Sequence, residues 1–534
     1  MNKLLSDSKV RAAVFSIQNR SELEQVDKLI QSHVESGIVE QINNPKNQIL
    51  FGRRGTGKSH VLRFLESMLA RDKNAVTLYQ DIRRFGSANA SPDDVKQPHV
   101  MALSVCKDIL GFVHTALLRH SAANPDRGSG SVLARLDELA DQILLRSRHT
   151  KVARSYEKDL DKKCTQTALE LGLASGGFRA GLSSSDSTGR NKERGVAETY
   201  TEHPSIRYAD VSEALFNAMG AVGASRLWLI LDEWTSLAPE TQKWTAEYIK
   251  RIFLPLKEVT VKIGALKYRS AFGSQELDGS RVGFELGADI VADLELDDFF
   301  VYDEDAARVE KFFREVLFKH LTTELPSGYF QDILAVADSD ALVQGLFTET
   351  AAFGNLARAA EGVVRDFIQI FTFSAQDALR RGRETIDKPA VDNAAKDWFE
   401  RDKLENLGEQ QRELLHRIVN DVIGARTARS FLLEKTYERN KTIQSLIDSR
   451  VLHLMRRGYS DKENPGVRFN VYSLDYGTYI DFKATKHAPQ IDLERVSDPA
   501  NIDYATMIVP FHDFRAIRRV VLDPSLLPAD TRGH

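Results

Sequence analysis

Cysteine is scarce in this chain: 534 residues include two, Cys106 and Cys164. That excludes a disulfide framework, offers no metal-ligand spacing and fits a reducing cytoplasm. Long apolar runs are also missing. Nowhere do about 18 apolar residues follow one another, and the opening MNKLLSDSKVRAAVF has neither a long apolar core nor a cleavage-site pattern. Secretion and membrane spanning are therefore not expected, and a cytoplasmic protein is. A strong charge of one sign is lacking too. The formal net charge of -4 argues against a generally basic nucleic-acid coat but is compatible with a local basic surface.

What is present is ordinary for a globular protein, with 42% hydrophobic and 28% charged residues, enough to bury cores without staples. The length exceeds one compact core and suggests three or so domains, at roughly 100 to 200 residues each. Apolar residues recur near helical spacing over 20–43, and NQILFG then has the form of a short buried strand ending at a glycine-rich turn. A helix, KSHVLRFLESMLARD, follows directly. AVTLYQDI, SRLWLILDEWTSL and VTVKIGALKYRS are further strand candidates separated by helical stretches, which argues for a parallel α/β sheet.

The turn carries the most specific signal. Gly52-Arg53-Arg54-Gly55-Thr56-Gly57-Lys58-Ser59 matches G-x-x-x-x-G-K-[ST] in full, between a predicted strand and a predicted helix. Glycines let backbone N–H groups approach phosphate oxygens, and the helix N-terminus adds positive potential. ATP is the expected ligand, bound by Gly52, Gly55, Thr56, Gly57, Lys58 and Ser59. Lys58 is expected to reach the β and γ phosphates, and Ser59 to ligate Mg2+. The strand Leu229-Ile230-Leu231-Asp232-Glu233 delivers two acids to the sheet edge where such ligands bind. Asp232 is expected in the magnesium shell and Glu233 as the general base toward water. The alternative is that one of these acids caps the next helix. No acceptor pocket or basic lid of a small-molecule kinase is identifiable, so hydrolysis is preferred to phosphoryl transfer.

Taken in order, FGRRGTGKSH, WLILDEW, KIGALKYRS, EGVVRDF and a terminal helix-and-hairpin pattern resemble the AAA+ ATPases of the origin-recognition type, including a bacterial group of poorly defined role. The resemblance implies a P-loop NTPase (AAA+) parallel sheet with a helical lid, followed by a winged-helix domain. It divides the chain into an ATPase core at 1–302 with a largely helical insertion at about 98–220, a helical lid at 303–404, a winged helix at 405–484 and an extension at 485–534. It further implies a sensor 1 residue after the fourth core strand, where the usual amide is missing and Lys267 or Arg269 is the alternative. A lid arginine is implied in G-x-x-R, for which Arg365 is chosen over Arg358, and Arg281 is a candidate arginine finger.

In the terminal region the helix KTIQSLIDSRVLHL and the hairpin tip GYSDKENPG are the DNA-facing candidates. The cations through this region, Arg426, Arg429, Lys441, Arg450, Arg456, Arg457, Lys462 and Arg468, are interleaved with acids, so double-stranded DNA and a protein partner both remain open. Ile443, Leu446, Ile447 and Leu452 are expected in the core. In the insertion, RSRHTKVARSYEKDLDKKC is expected on a basic helix and GGFRAGLSSSDSTGRNKERG in a loop or hairpin. Near the end, DYATMIVPFHDFRAIRRVVLDPSLL is expected to pack back on the body. The functional expectation is an ATP-hydrolysing switch or motor in DNA transactions such as replication, a mobile element or defence, with a homo-oligomer as one possible assembly. Its alternative is a nucleotide-held assembly or signalling scaffold with little turnover.

Overall fold

The computed structural model describes residues 3–17, 26–86, 97–143, 146–157, 194–276, 279–302, 304–425, 429–460, 465–484 and 520–528. Its strands are β1 (Gln48–Phe51), β2 (Ala75–Asp81), β3 (Arg146–Glu157), β4 (Arg194–Ser205), β5 (Arg226–Asp232), β6 (Val259–Ala265), β7 (Gly273–Gln275), β8 (Arg281–Gly283), β9 (Val291–Glu295), β10 (Ser430–Glu434), β11 (Leu452–Ser460) and β12 (Arg468–Leu474).

The central sheet runs β2-β5-β6-β1-β9, every pairing parallel. Its strands are apolar because helices cover both faces: every residue of β1 and β6 is buried, and all but the first of β5. One face is covered by Pro98–Ala123, Tyr208–Ala221 and Pro239–Ile252, which share a core with Val76, Leu229 and Ile263. Pro98–Ala123 is long and apolar enough to cross a membrane by length and composition alone. Its apolar face, including Val105, Cys106, Ile109 and Val113, is buried in that core, where the Cys106 thiol is pushed up to about 12 by desolvation. This is an α/β arrangement in which the glycine-rich loop follows β1, the two acids follow β5, and β6 lies between those strands.

A helical lid follows, comprising Ala306–Glu324, Ser339–Leu346, Thr350–Ala359, Val364–Arg380 and Lys388–Trp398. Its core, with Phe313, Phe353, Phe367 and Phe371, also takes in Leu4, Leu5, Val10 and Val14. The N-terminal helix Ser8–Ser16, grouped with the ATPase core in the sequence reading, thus packs on the lid. Beyond the lid, helix Glu409–Val419, β10, helix Lys441–Asp448 and the β11/β12 hairpin form a unit around the antiparallel sheet β10-β12-β11.

Four local readings change. RSRHTKVARSYE is strand β3, paired antiparallel with β4 from Arg146 opposite Ser205 to Glu157 opposite Arg194; as a helix the stretch would have no continuous apolar stripe to bury. The insertion is therefore not wholly helical; residues 158–193, which hold most of GGFRAGLSSSDSTGRNKERG, lie outside the described residues. SFLLE, not anticipated as a strand, forms β10 at the sheet edge. DYGTYIDF enters a helix, Tyr476–Ala484, and Lys441–Asp448 stops before VLHL, which belongs to β11. As expected, Ile443, Leu446, Ile447 and Leu452 are buried. Arg426, Lys462 and most of the C-terminal extension also lie outside the described residues. Val520 and Leu522 are described, and they bond to Leu432 on the β10 edge.

Candidate nucleotide site

Parallel strands deliver their C-terminal ends to one edge of the sheet. Register sets Phe51 beside Ala265 and Glu295, and Asp81 beside Asp232. The loop after β1 turns through Gly55 at φ +86 and Gly57 at φ +98, left-handed values that glycine adopts without steric cost, and Gly57 opens helix Lys58–Leu69. Gly52 is also sterically required, since a Cβ there would lie 2.7 Å from Thr56 Oγ1. Thr56 Oγ1 donates to the Arg53 carbonyl at 2.8 Å, and Lys58 Nζ donates to the carbonyls of Gly52 at 2.7 Å and Arg53 at 3.0 Å. Burial lowers the Lys58 pKa, while Asp232, Glu233 and Asp297 act to raise it.

Asp232 is fully buried. One oxygen accepts from Tyr79 Oη and the other from the Glu233 N–H, both at 2.8 Å. Glycine at position 264 on β6 makes room for it: a Cβ there would sit 2.4 Å from Asp232 Oδ1. Glu233 has φ 56 and ψ 41, a left-handed conformation that costs a non-glycine residue about 1–3 kcal/mol and tends to occur at functional sites. Burial first, then Asp232, raises its pKa against the opposing effect of Arg83 and Lys58. The capping alternative fails, because Ala238 precedes helix Pro239–Ile252 and Glu233 makes no side-chain cap to the short turn it begins.

These groups face a cavity of about 570 Å³. Its lining combines Gly55, Thr56, Gly57, Lys58, Ser59, Arg83, Glu233 and Arg365 with His33, Ile38, Phe312, Val316, His320 and Ile368. Burial holds His33 at about 4, His60 at about 3 and His320 at about 4, so all three imidazoles are neutral at pH 7. His33 stacks on Phe64 at 3.6 Å between ring centroids. The lining thus joins cationic and phosphate-loop groups to apolar and uncharged ring side chains, a combination that suits a phosphate ester of an aromatic base.

The arginine candidates separate clearly. Arg365, at the start of helix Val364–Arg380, lines the cavity and its N–H donates to the Gly55 carbonyl at 3.1 Å. Arg358 lies 4.9 Å over the Tyr302 ring. Lys267 pairs with Glu295 at 2.7 Å and Arg269 with Asp448 at 2.6 Å. Arg281 is exposed on β8 and lies outside the cavity lining.

Sequence reasoning missed Tyr79, Arg83 and the apolar lining. Tyr79 and Arg83 flank Asp81 at the end of β2, so their position at the strand edge was the available signal. The apolar lining had none, because its residues come from the N-terminal segment and the lid, nearly 300 residues apart.

No protein-family model matches the chain, and no curated protein matches it. Among solved structures it is similar to the Aeropyrum pernix ORC2 protein (ADPNP–ADP complexes), at 12% identity over 82% of this chain and 85% of that one, TM-score 0.35. Cdc6p from Pyrobaculum aerophilum is similar at 12% identity over 88% and 98%, TM-score 0.30. The Aeropyrum pernix ORC1 protein in complex with DNA is similar at 14% identity over 88% and 95%, TM-score 0.28. At scores this low the strand order and loop geometry of the chain itself carry the fold.

Proposed function

We propose that this protein binds and hydrolyses ATP as an AAA+ switch or motor acting on DNA in the cytoplasm. The observation that carries the reading is one cavity in which a glycine-turned phosphate loop and Lys58 face a strained, proton-attracting Glu233. Backbone N–H groups of Gly55, Gly57 and Lys58 would hold phosphate oxygens, with Lys58 leaving the Gly52 and Arg53 carbonyls for the β and γ phosphates. Ser59 fits as a direct magnesium ligand, and Asp232, fixed by Tyr79, fits in the outer shell. Bound magnesium would neutralise charge building on the phosphates. Glu233 would take the proton of the attacking water, and Arg365 would meet the γ phosphate from the lid.

The order helix, strand, helix, hairpin after residue 405 supports a winged helix, and on this reading 303–404 is the lid and 485–534 an extension. DNA is the favoured partner of that unit, with self-association as a further partner class. Lys58→Ala should abolish ATP binding, and Glu233→Gln should retain binding with turnover reduced by about 10² to 10⁴. Steady-state hydrolysis with and without double-stranded DNA tests the whole reading; unchanged turnover in Glu233→Gln removes the proposed base.

A second reading, a nucleotide-held assembly scaffold, is favoured by one feature: Lys267 and Arg269, the cations after β6, are engaged by Glu295 and Asp448. Slow turnover indifferent to DNA, with a mass change between ADP and a non-hydrolysable ATP analogue, would select it.

A further inference from the structure

Arg53, the second residue of the phosphate loop, is held by three separate parts of the chain. Its N–H and Nε donate to Asp297 at 2.8 and 2.6 Å, beside the sheet edge. One terminal nitrogen donates to the Glu361 carbonyl of the lid at 3.3 Å, and the other meets His453 Nδ1 on β11. An arginine can only donate, so His453 Nδ1 accepts, and the imidazole proton sits on Nε2, which donates to Asp475 at 3.2 Å. Asp475 also accepts from Lys403 at 2.5 Å, Lys403 reaches Asp366 at 2.9 Å, and Asp366 pairs with Arg450.

This chain of contacts is buried: His453, Asp475, Lys403 and Asp366 are each exposed by 2% or less. It also closes on itself. Asp366 follows Arg365, whose N–H donates to the Gly55 carbonyl, so both ends of the chain terminate on the phosphate loop. Around the circuit, Arg429 pairs with Glu361, and Arg457 pairs with Glu295 at 2.8 Å and Asp298 at 2.9 Å. Glu361 and Arg450, both in the joint, have left-handed φ values of 48 and 61. Strain at such positions persists only where surrounding contacts enforce it.

We infer that the terminal unit is part of the nucleotide site's control: His453 is a positioning residue that fixes the phosphate loop through Arg53, so that nucleotide binding and docking of the terminal unit depend on each other. This rests on the reading of the cavity as an ATP site. Lys58 must give up the Arg53 carbonyl to meet phosphate, and that carbonyl belongs to the residue His453 holds. Coupling of this kind is reciprocal: whatever docking does to nucleotide affinity, nucleotide does to docking.

The test uses the full chain. ATP affinity and release rate are measured for the wild type, for His453→Phe, which keeps a ring but neither accepts nor donates, and for His453→Gln, which does both. In parallel, amide hydrogen exchange is followed across 452–460 with and without ATP. The expected result is that ATP changes exchange in β11 of the wild type, that His453→Phe shifts ATP affinity by about tenfold or more and loses the ATP-dependent exchange, and that His453→Gln stays within about threefold of wild type. Should His453→Phe not fold, Arg457→Ala at the rim of the same joint must shift ATP affinity by about threefold or more and weaken the ATP-dependent exchange in β11; Arg457→Ala with wild-type affinity and exchange overturns the coupling. Wild type that binds ATP with β11 exchange unchanged overturns the coupling and leaves the ATP site standing. Wild type that binds no ATP overturns the ATP site itself.

Discussion

Replacing Lys403 by methionine keeps most of the side-chain volume and deletes one buried charge. The ammonium lies 2.9 Å from Asp366 and 2.5 Å from Asp475, with all three side chains no more than 2% exposed. Removing one partner of a buried ion pair leaves an uncompensated charge and costs about 3–5 kcal/mol. Asp366 keeps Arg450, so the loss falls mainly on Asp475, which retains only His453 and the Gly477 N–H at 3.0 Å. For a unit of the size of the lid and terminal region, each kcal/mol shifts the melting temperature by about 2–4 °C, so the transition should fall by roughly 6–20 °C at pH 7.

The pH dependence gives a second, independent sign. In the wild type, burial raises the pKa of both carboxylates, but Arg450 and Lys403 at Asp366, and Lys403 and His453 at Asp475, outweigh it and leave each below its ordinary value of 3.8. Their stabilisation is therefore complete above pH 4 and is lost only as pH falls through the lowered folded values. Without Lys403, burial dominates at Asp475 and its folded pKa rises above the unfolded one, so the stability gap between variant and wild type should narrow from pH 7 to pH 5, on top of the stability both lose as the unfolded chain protonates histidines that the fold keeps neutral. Calorimetric melting at both pH values measures this. A loss below about 2 °C at pH 7, or an equal gap at both pH values, refutes the account of the network.

The remaining predictions concern the cavity. Tyr79→Phe removes the donor to Asp232 and leaves that oxygen buried and unpaired; turnover should fall about tenfold in a steady-state assay, with ATP binding retained. Gly264→Ala forces Asp232 away from a Cβ that would sit 2.4 Å from it, so magnesium-dependent turnover should drop further than in Tyr79→Phe. Arg365→Ala should cut turnover by 10² or more, whereas Arg358→Ala, which loses a contact with Tyr302, should cost about 0.5–2 kcal/mol in a melting experiment and leave turnover within about twofold. Equal kinetic effects of the two arginine changes would remove the assignment to Arg365.

The sequence by itself determined the parts in which neighbouring residues suffice. The phosphate loop, the helix it opens and the acidic end of β5 are local patterns: glycine spacing, an apolar run and two carboxylates after it specify their own geometry. The sheet was legible for the same reason, since strands buried on both faces must be continuously apolar. Only the tertiary structure decided what depends on contact between distant segments. It set Arg365, the arginine that the G-x-x-R spacing selects, against Gly55 at the cavity and laid Arg358 over the Tyr302 ring, contacts that no spacing contains. It withdrew Lys267 and Arg269 from the cavity by pairing them with Glu295 and Asp448. It also paired three cations that sequence left open between DNA and protein contact, Arg429, Arg450 and Arg457, with lid and core carboxylates. A charge in sequence carries no record of its counter-ion, and burial, which fixes that choice by making an unpaired charge costly, exists only once the chain has folded.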